Sequence, residues 1–172
     1  MPRCDDEVVV YLGLGSNLGD RRAEIVAAVR ALERGRILRE LLASPLYETD
    51  AVSDDWQPPY LNAVVRGLTR LTARAVLSAC LEIEMALGRV RPADRPKAPR
   101  LIDIDLLLYG DAVIDTVELS VPHRAMLERP FVLIPLADVA APGLAHPITG
   151  TVLTLAAPTA HVRPLVPPLV PR

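Results

Sequence analysis

The sequence has 172 residues, a mass of 18.7 kDa and a formal net charge of −2, with 51% hydrophobic and 23% charged residues. These values fit one globular domain and exclude collagen-like, coiled-coil and disordered chains. No apolar run reaches the roughly 18 residues that a membrane span needs, and Asp5, Asp6 and Glu7 do not fit a secretory signal. We therefore expect a cytoplasmic protein that binds neither membranes nor, given its near-neutral charge, nucleic acids in general.

Hydrophobic periodicity predicts alternating strands and helices along the chain. Strands are predicted at 8–15, 37–47 (interrupted by a proline), 60–70 and 101–109. Helices are predicted at about 21–34, 73–87 and 131–140. Asp20 and Thr72 are expected to cap the first two helices, and Gly35 and Gly88 to end them. The order β-α-β-β-α-β indicates a ferredoxin-like α+β domain with an antiparallel sheet flanked by helices.

The chain is interpreted as one domain over 1–157, followed by a proline-rich tail over 158–172 that we expect to be loose and extended. Cys80 lies in a helical pattern and is predicted to be a core residue. His146 and His161 are predicted to lie on the surface. No Cys or His pair has zinc-ligand spacing. The two cysteines form no disulfide framework.

The strongest chemical feature is Asp103-Ile104-Asp105 within an otherwise apolar strand. Residues two apart in a strand point to the same face, so both carboxylates should converge while Ile104 faces the core. Two adjacent like charges are costly unless a cation neutralises them. Mg²⁺ commonly takes one or two carboxylates together with substrate phosphates, so the pair predicts a magnesium site. The alternative is a solvated strand face paired with arginines.

The segment 88–100, just before this strand, carries five basic residues and one acidic residue. Prolines stiffen it without giving it regular structure. A basic loop beside two aspartates indicates a phosphate clamp around Mg²⁺, the arrangement that phosphoryl-transfer sites share. A basic loop alone would more often be a solvated surface.

A glycine cluster, GLGSNLG over 13–19, lacks the third glycine of a dinucleotide fingerprint, and no Walker sequence is present. These glycines are interpreted as a tight turn between strand and helix, close to a bound ligand. No serine or histidine pairing indicates nucleophilic catalysis.

Five segments together resemble the 6-hydroxymethyl-7,8-dihydropterin pyrophosphokinases of folate biosynthesis. They are GLGSNLGDR (13–21), YLNAV (60–64), EIEMALGRVR (82–91), PRLIDIDLLLYG (99–110) and VPHRAMLERPFVLIPL (121–136). The resemblance implies a three-layer α/β/α architecture. It also implies transfer of the β,γ-pyrophosphoryl group of ATP to the hydroxymethyl oxygen of the pterin, with two Mg²⁺ ions and release of AMP.

The resemblance also implies roles for individual residues. Asp103 and Asp105 would hold the magnesium ions, and Arg89 and Arg100 would engage the phosphates during transfer. Positions that match nucleotide contacts are Glu84, Arg91, Ser120, His123 and Arg129, with Lys97 as a substitute for a family lysine. Positions that match pterin contacts are Thr49, Val52, Tyr60, Asn62 and Phe131. The partners are small-molecule substrates, and we expect a monomer, with a dimer left open.

The chain departs from the family in the basic loop, where R-W-G-P-R is replaced by Arg95-Pro96-Lys97-Ala98-Pro99-Arg100, one residue longer and without Trp. In the family that Trp closes over the pterin. Trp56, in the loop before Tyr60, is a hypothetical replacement. Two alternatives stay open: a weakened pterin- or nucleotide-binding protein of the same fold, and a metal-dependent transferase acting on a nucleotide sugar.

Overall fold

The computed structural model describes residues 7–51, 56–90, 98–153 and 161–165. The strands in these ranges are β1 (Val8–Ser16), β2 (Arg39–Ala43), β3 (Leu46–Thr49), β4 (Tyr60–Thr69), β5 (Asp103–Tyr109), β6 (Ile114–Asp115), β7 (Ser120–Val121) and β8 (Val162–Leu165). The helices are α1 (Arg21–Arg34), α2 (Ala73–Ala86) and α3 (Pro130–Val139), with a short 3₁₀ helix at Met126–Glu128.

The main sheet has the strand order β5-β1-β4-β3-β8, and β2 also pairs with β4. Every pairing in it is antiparallel. Because β2 and β3 share the position beside β4, the core order β5-β1-β4-β2/β3 is that of a ferredoxin-like fold. The predicted fold class is confirmed. Strands β6 and β7 form a separate two-stranded hairpin.

The strand predicted over 37–47 is two strands, β2 and β3, separated by Ser44 and Pro45. Proline has no backbone N–H and cannot donate to a sheet ladder, so pairing is interrupted there. The Ser44 hydroxyl compensates by accepting a hydrogen bond from the Val64 amide of β4 at 3.0 Å. The break redirects the chain so that β3 continues toward the segment before Tyr60.

Two hydrophobic cores lie on opposite faces of the sheet. The core on the α1 and α2 face contains Leu12, Ile25, Leu32, Val76 and Ile104. The core on the α3 face contains Tyr11, Leu108, Met126, Val132 and Leu136. Each fully buried side chain of this size contributes about 1.5–3 kcal/mol. The expected three-layer arrangement is therefore present.

The helix starts follow the sequence prediction. The Asp20 carboxylate accepts a hydrogen bond from the Ala23 amide at 3.0 Å, and the Thr72 hydroxyl accepts one from the Ala75 amide at 3.3 Å. Gly88 follows α2 with φ of 85°, a left-handed conformation that favours glycine. After α1 the left-handed residue is Arg36, with φ of 54°, and Gly35 is right-handed.

The chain after residue 157 is not wholly the loose segment that the proline content predicts. Residues Val162–Leu165 form β8, which pairs with β3 at the edge of the sheet. Pro164 is tolerated because an edge strand leaves some backbone N–H groups without ladder partners. The remaining residues of 158–172 lie outside the described part of the chain, except for His161, which is exposed as predicted.

The surface prediction for His146 is wrong, since its exposure is only 7%. Its Nδ1 accepts hydrogen bonds from the amides of Ile148 and Thr149 at 3.4 and 3.3 Å, which fixes the turn that follows. Burial lowers the pKa of His146 and favours this neutral acceptor form. Cys80 is buried in the core as predicted. No helix in the described ranges is long and apolar enough to cross a membrane.

Candidate active site

The two aspartates of β5 project from one face of the sheet. Ile104 and Leu106, which alternate with them, are only 3% and 4% exposed, on the α1 and α2 face. The side chains of Asp103 and Asp105 keep 23% and 41% exposure on the other face. The alternation predicted from the sequence therefore holds, and it leaves two carboxylates at an accessible end of the sheet.

Two arginines hold the Asp103 carboxylate. Arg89 Nη1 contacts Asp103 Oδ1, and Arg100 Nη1 lies 2.8 Å from Asp103 Oδ2. Arg89 follows α2 and Arg100 precedes β5, so one carboxylate joins both described ends of the basic loop. Asp103 is therefore paired with arginines, which is the alternative that the sequence left open.

Glu84 is a buried residue that bonds to Arg89 and to the backbone of β5 next to Asp103. Its Oε1 lies 2.5 Å from Arg89 Nη1 and accepts a hydrogen bond from the Ile104 amide at 2.7 Å. The residue is 1% exposed. A buried carboxylate needs such partners, because an uncompensated one would be costly. Glu84 therefore ties the end of α2 to the start of β5 and orients Arg89.

Asp105 faces a second pair of cationic or titratable groups. His123 Nε2 and Arg129 Nη1 each lie 4.0 Å from Asp105 Oδ2. The His123 amide donates to the Leu107 carbonyl at 2.9 Å, which fixes this loop to β5. The structure thus brings Asp105 together with residues that are 18 and 24 positions away in sequence, and their role at a phosphate stays a prediction.

The electrostatics of Asp105 and His123 reflect this crowding. Burial, followed by repulsion from Asp103, raises the pKa of Asp105 from 3.8 to about 6, although Arg129 opposes the shift. Burial, followed by the charge of Arg129, lowers the pKa of His123. Asp105 is therefore a carboxylate whose negative charge is incompletely neutralised by the protein.

Of the remaining positions that were predicted to contact the nucleotide, one is described by the structure and two are not. Ser120 lies in β7, and its Oγ accepts a hydrogen bond from Arg124 Nε at 3.2 Å. Arg91 and Lys97 lie outside the described residues, as does the predicted pterin position Val52.

The predicted pterin positions on β3 and β4 are neutral and largely buried. Thr49 and Asn62 are 5% and 6% exposed, and Asn62 Nδ2 donates to Thr49 Oγ1 at 2.8 Å. Tyr60 starts β4 opposite Thr49. Burial raises the pKa of Tyr60, and the positive charge of Arg100 opposes that shift. Gly15 of β1 pairs with Asn62 on one side and with Asp103 on the other, so the neutral residues lie beside the charged cluster.

Gly15 lies directly beside these residues. A Cβ atom on Gly15 would lie 3.4 Å from Asn62 Oδ1 and 3.7 Å from the ring of Tyr60. These are ordinary contact distances, so a methyl group would occupy room between the two side chains without forcing the backbone apart. Gly13 and Gly15 lie within β1, so in this cluster only Gly19, with φ of 65°, belongs to the expected turn before α1. The closeness of these glycines to a bound ligand stays a prediction.

Phe131 lies in the first turn of α3 and is partly buried. The Arg129 guanidinium stands 5.8 Å from its ring centroid, within cation–π range. Phe131 packs against the small cluster of Tyr47, Ile134 and Val162. Trp56, the hypothetical second aromatic wall, is 88% exposed.

Asn17 is a site residue that sequence reasoning treats only as a turn former. Its Nδ2 donates to Gln57 Oε1 and to the Pro58 carbonyl, each at 3.3 Å. Its Oδ1 accepts from the Arg100 amide at 2.8 Å, and its own amide donates to the Arg100 carbonyl at 3.1 Å. Asn17 is 1% exposed and joins the segment before Tyr60 to the basic loop. The only sequence signal that could have indicated this role is the position of Asn17 between Gly15 and Gly19.

Known proteins resemble this arrangement in sequence and in fold. Residues 11–141 match the family model described as 7,8-dihydro-6-hydroxymethylpterin-pyrophosphokinase. A relative named 2-amino-4-hydroxy-6-hydroxymethyldihydropteridine pyrophosphokinase, from Methylorubrum extorquens, is 46% identical over 130 residues, covering 76% of this chain and 81% of the relative. A protein of the same name from Pseudomonas aeruginosa is 44% identical over 131 residues, covering 76% and 80%.

Solved structures are similar to this chain in fold, and at their low sequence identity they support the fold alone. A Plasmodium falciparum HPPK-DHPS triple mutant aligns with a TM-score of 0.62 at 16% identity, over 86% of this chain. The chain spans 42% of that longer protein.

The fold and the matched residues define a pyrophosphokinase, an enzyme that moves a pyrophosphoryl group. The chain belongs to the 7,8-dihydro-6-hydroxymethylpterin-pyrophosphokinase family, because the family match covers most of its length and relatives above 40% identity span the same region. The expected family, and with it pyrophosphoryl transfer from ATP to a hydroxymethyldihydropterin in folate synthesis, is confirmed.

Proposed function

We propose that this chain carries out that transfer with the residues described above. The hydroxymethyl oxygen of 6-hydroxymethyl-7,8-dihydropterin attacks the β-phosphorus of ATP. A new O–P bond forms, the bond between the β-phosphorus and the oxygen bridging to the α-phosphate breaks, AMP leaves, and the hydroxyl proton is released to water. The observation that carries the proposal is that Gly15 of β1 pairs with Asn62 on one side and with Asp103 on the other. The neutral Thr49–Asn62 pair and the charged Arg100–Asp103 pair therefore lie on strands that flank the same residue of β1.

The carboxylate pair suits magnesium held jointly with a substrate. Among the described residues no three Asp, Glu, His or Cys side chains cluster as a metal site. Two carboxylates on one strand face would therefore leave most coordination positions to phosphate oxygens and water, as Mg²⁺ prefers. Asp103 and Asp105 would hold two such ions, which when bound neutralise charge on the phosphates. The raised pKa of Asp105 supports this fit, since its charge lacks a full partner.

Arg89 and Arg100 are proposed to act as the catalytic cations. Guanidinium groups recognise phosphate oxygens through paired N–H donors. Both arginines contact Asp103, close to where the phosphates would lie. Each would exchange Asp103 for phosphate oxygens when the nucleotide binds, and would then stabilise the charge that shifts onto the leaving AMP.

The pterin end is proposed to work by fixed polar contacts. The Thr49 and Asn62 side chains satisfy one another while keeping the Asn62 carbonyl oxygen toward Gly15, available to the amide-like edge of the pterin. Tyr60 and Phe131 would flank the ring, with Val52 contributing from its segment. Since a site that hydrogen-bonds a substrate rejects analogues lacking those groups, this end would set specificity.

The nucleotide is proposed to lie along the loop that carries Ser120, His123 and Arg129, with Arg91 and Lys97 contributing from the basic segment. Glu84 was expected to contact the nucleotide, but its burial and its bonds to Arg89 and Ile104 support a positioning role instead. The expected cytoplasmic location and monomeric state stay predictions.

Product analysis tests this function. Purified protein with ATP and Mg²⁺ should release AMP only when 6-hydroxymethyl-7,8-dihydropterin is added, and it should form no ADP. ADP formation would contradict pyrophosphoryl transfer. Absence of AMP, in a sample that binds both ligands by calorimetry, would favour the weakened binding protein. AMP or a nucleoside diphosphate released only with a nucleotide sugar would favour the other transferase.

A further inference from the structure

A chain of ion pairs lies on the sheet face opposite the predicted pterin side chains. Glu48 is at its centre, between Tyr47 and Thr49 on β3, so its side chain leaves the strand on the opposite face from theirs. Glu48 Oε2 lies 3.0 Å from Arg21 Nη2, and Glu48 Oε1 lies 3.6 Å from Arg163 Nη2. Arg21 begins α1 and Arg163 belongs to β8, so three elements meet at one carboxylate.

Both arginines also reach the segment that connects β3 to β4. Arg21 Nη1 donates to the Pro59 carbonyl at 2.8 Å, directly before Tyr60. Arg163 Nη2 lies 3.6 Å from Asp50 Oδ1, directly after Thr49. The two described ends of this segment are thus held by arginines that share Glu48.

Strand β8 adds backbone and apolar contacts to the same region. Val162 pairs with Thr49 in the β3–β8 register and is 7% exposed. It also belongs to the cluster against which Phe131 packs. Because β8 lies beyond the region 11–141 that matches the family model, this support comes from a part of the chain that the family match does not cover.

We propose that Arg21, Glu48 and Arg163 form a clasp that positions Thr49 and Tyr60 for pterin binding, with β8 as a working part of the pterin site. The clasp consists of positioning residues, since Glu48 projects away from Thr49 and Asn62. Exposed single ion pairs contribute little to stability, so the effect should appear in pterin binding more than in folding. This inference rests on the proposed function for its kinetic readout only.

The chain offers a matched control for Glu48. Glu7 Oε1 also lies between two arginines, 2.6 Å from Arg39 Nη1 and 3.3 Å from Arg70 Nε. The side chains of Glu7 and Glu48 are equally exposed, at 27%. Glu7 precedes Val8 at the far end of β1, where that strand pairs with Thr69.

The test compares Glu48→Gln with Glu7→Gln. Glu48→Gln should raise the KM for the pterin about 3- to 10-fold, the size expected for losing two partly exposed pairs. The KM for ATP and kcat should stay within about twofold, and Glu7→Gln should change none of the three. Arg163→Gln should reproduce the effect and Arg163→Lys should largely restore wild-type values. Equal changes in both KM values, or no change in the pterin KM, would overturn the clasp.

A second readout is independent of catalysis. Trp56 is the only tryptophan in the chain and lies within the clasped segment, so its fluorescence anisotropy reports on that segment directly. The anisotropy should fall in Glu48→Gln and stay at the wild-type value in Glu7→Gln. If the wild-type protein released no pterin-dependent AMP, the proposed function would be wrong, but the anisotropy would still test whether the clasp holds this segment. Unchanged anisotropy in Glu48→Gln would overturn the clasp proposal.

Discussion

The proposed pterin end and the proposed phosphate end of the site are built from opposite kinds of side chain. At the pterin end, Thr49 and Asn62 are neutral, almost fully buried and hydrogen-bonded to each other across two strands. At the phosphate end, Arg100, Asp103 and Asp105 are charged and remain partly open to solvent. Neutral buried partners fix a shape, whereas partly exposed ion pairs can exchange partners when a charged ligand arrives.

This contrast implies different consequences for mutations at the two ends. Changes at the phosphate end should mainly lower the rate of transfer, because charge redistributes there in the transition state. Changes at the pterin end should mainly weaken pterin binding.

The largest effect is expected for Asp105→Asn. Loss of a carboxylate that would hold magnesium should lower kcat by about 10²- to 10³-fold, comparable with removing one group that stabilises transition-state charge. Steady-state AMP release measures the effect. Asp111→Asn is the control, because Asp111 is exposed just beyond the other end of β5. Substantial activity in Asp105→Asn would remove Asp105 from the metal site.

Arg100→Ala should lower the single-turnover rate by about 10²-fold while changing the Kd for ATP much less. The backbone of Arg100 would remain anchored, because its amide donates to Asn17 Oδ1 and its carbonyl accepts from the Asn17 amide. Rapid-quench kinetics and calorimetry measure the two quantities. Equal losses in rate and ATP affinity would show a ground-state role. Arg70→Ala, which removes an exposed arginine near Glu7, serves as the control.

Thr49→Val should weaken pterin binding by about tenfold and leave the ATP affinity unchanged. The substitution leaves Asn62 Nδ2 without the acceptor that now orients it, and an unsatisfied buried donor costs about 1–3 kcal/mol. Calorimetric titration with the pterin measures this. Thr69→Val, at the other end of β4, removes an equally buried hydroxyl that accepts from the Leu71 amide, and it should affect stability alone.

The smallest effect concerns stability, and Asp105→Asn should stabilise the metal-free protein at pH 8. The native pKa of Asp105, about 6, lies above its ordinary value of 3.8, so protonation favours the folded state. That contribution is fully present below about pH 4 and is lost as the pH rises through 6. Above pH 6 the charged carboxylate therefore destabilises the folded state, and the Asn substitution removes that charge.

The gain should be about 1 kcal/mol, after the shift is discounted for the 41% exposure of the side chain. Urea denaturation of both proteins at pH 8 and pH 4, with chelator present, measures it. The difference in unfolding free energy should disappear at pH 4. A variant less stable than the wild type at pH 8 would mean that the native protein already neutralises Asp105.

Much of the fold and of the charged cluster was predictable because local periodicity decides it. The alternation of Asp103, Ile104 and Asp105 fixes which face carries the carboxylates, and the β-α-β-β-α-β order fixes the core topology. The existence of β8 was not predictable in this way. Its stability comes from pairing with β3, which is distant in sequence, and Pro164 weakens the local strand signal.

The roles of Asn17, His146 and Glu84 also depend on tertiary contacts. Asn17 has a turn-forming sequence, but its importance lies in contacts with residues about 40 and 83 positions away. His146 is buried by the turn that it organises itself, which composition cannot indicate. The family resemblance assigned Glu84 to the nucleotide, and only the packing of α2 on β5 reveals its bond to the Ile104 amide.

The most direct test of the division between the two ends is a crystal structure with Mg²⁺, a non-hydrolysable ATP analogue and 6-hydroxymethyl-7,8-dihydropterin. We expect metal ions on Asp103 and Asp105, Arg89 and Arg100 moved from Asp103 to the phosphates, and the Thr49–Asn62 hydrogen bond unchanged beside the pterin. A complex in which both arginines stay on Asp103 and the metal binds elsewhere would contradict the proposed site. So would a pterin bound away from Asn62.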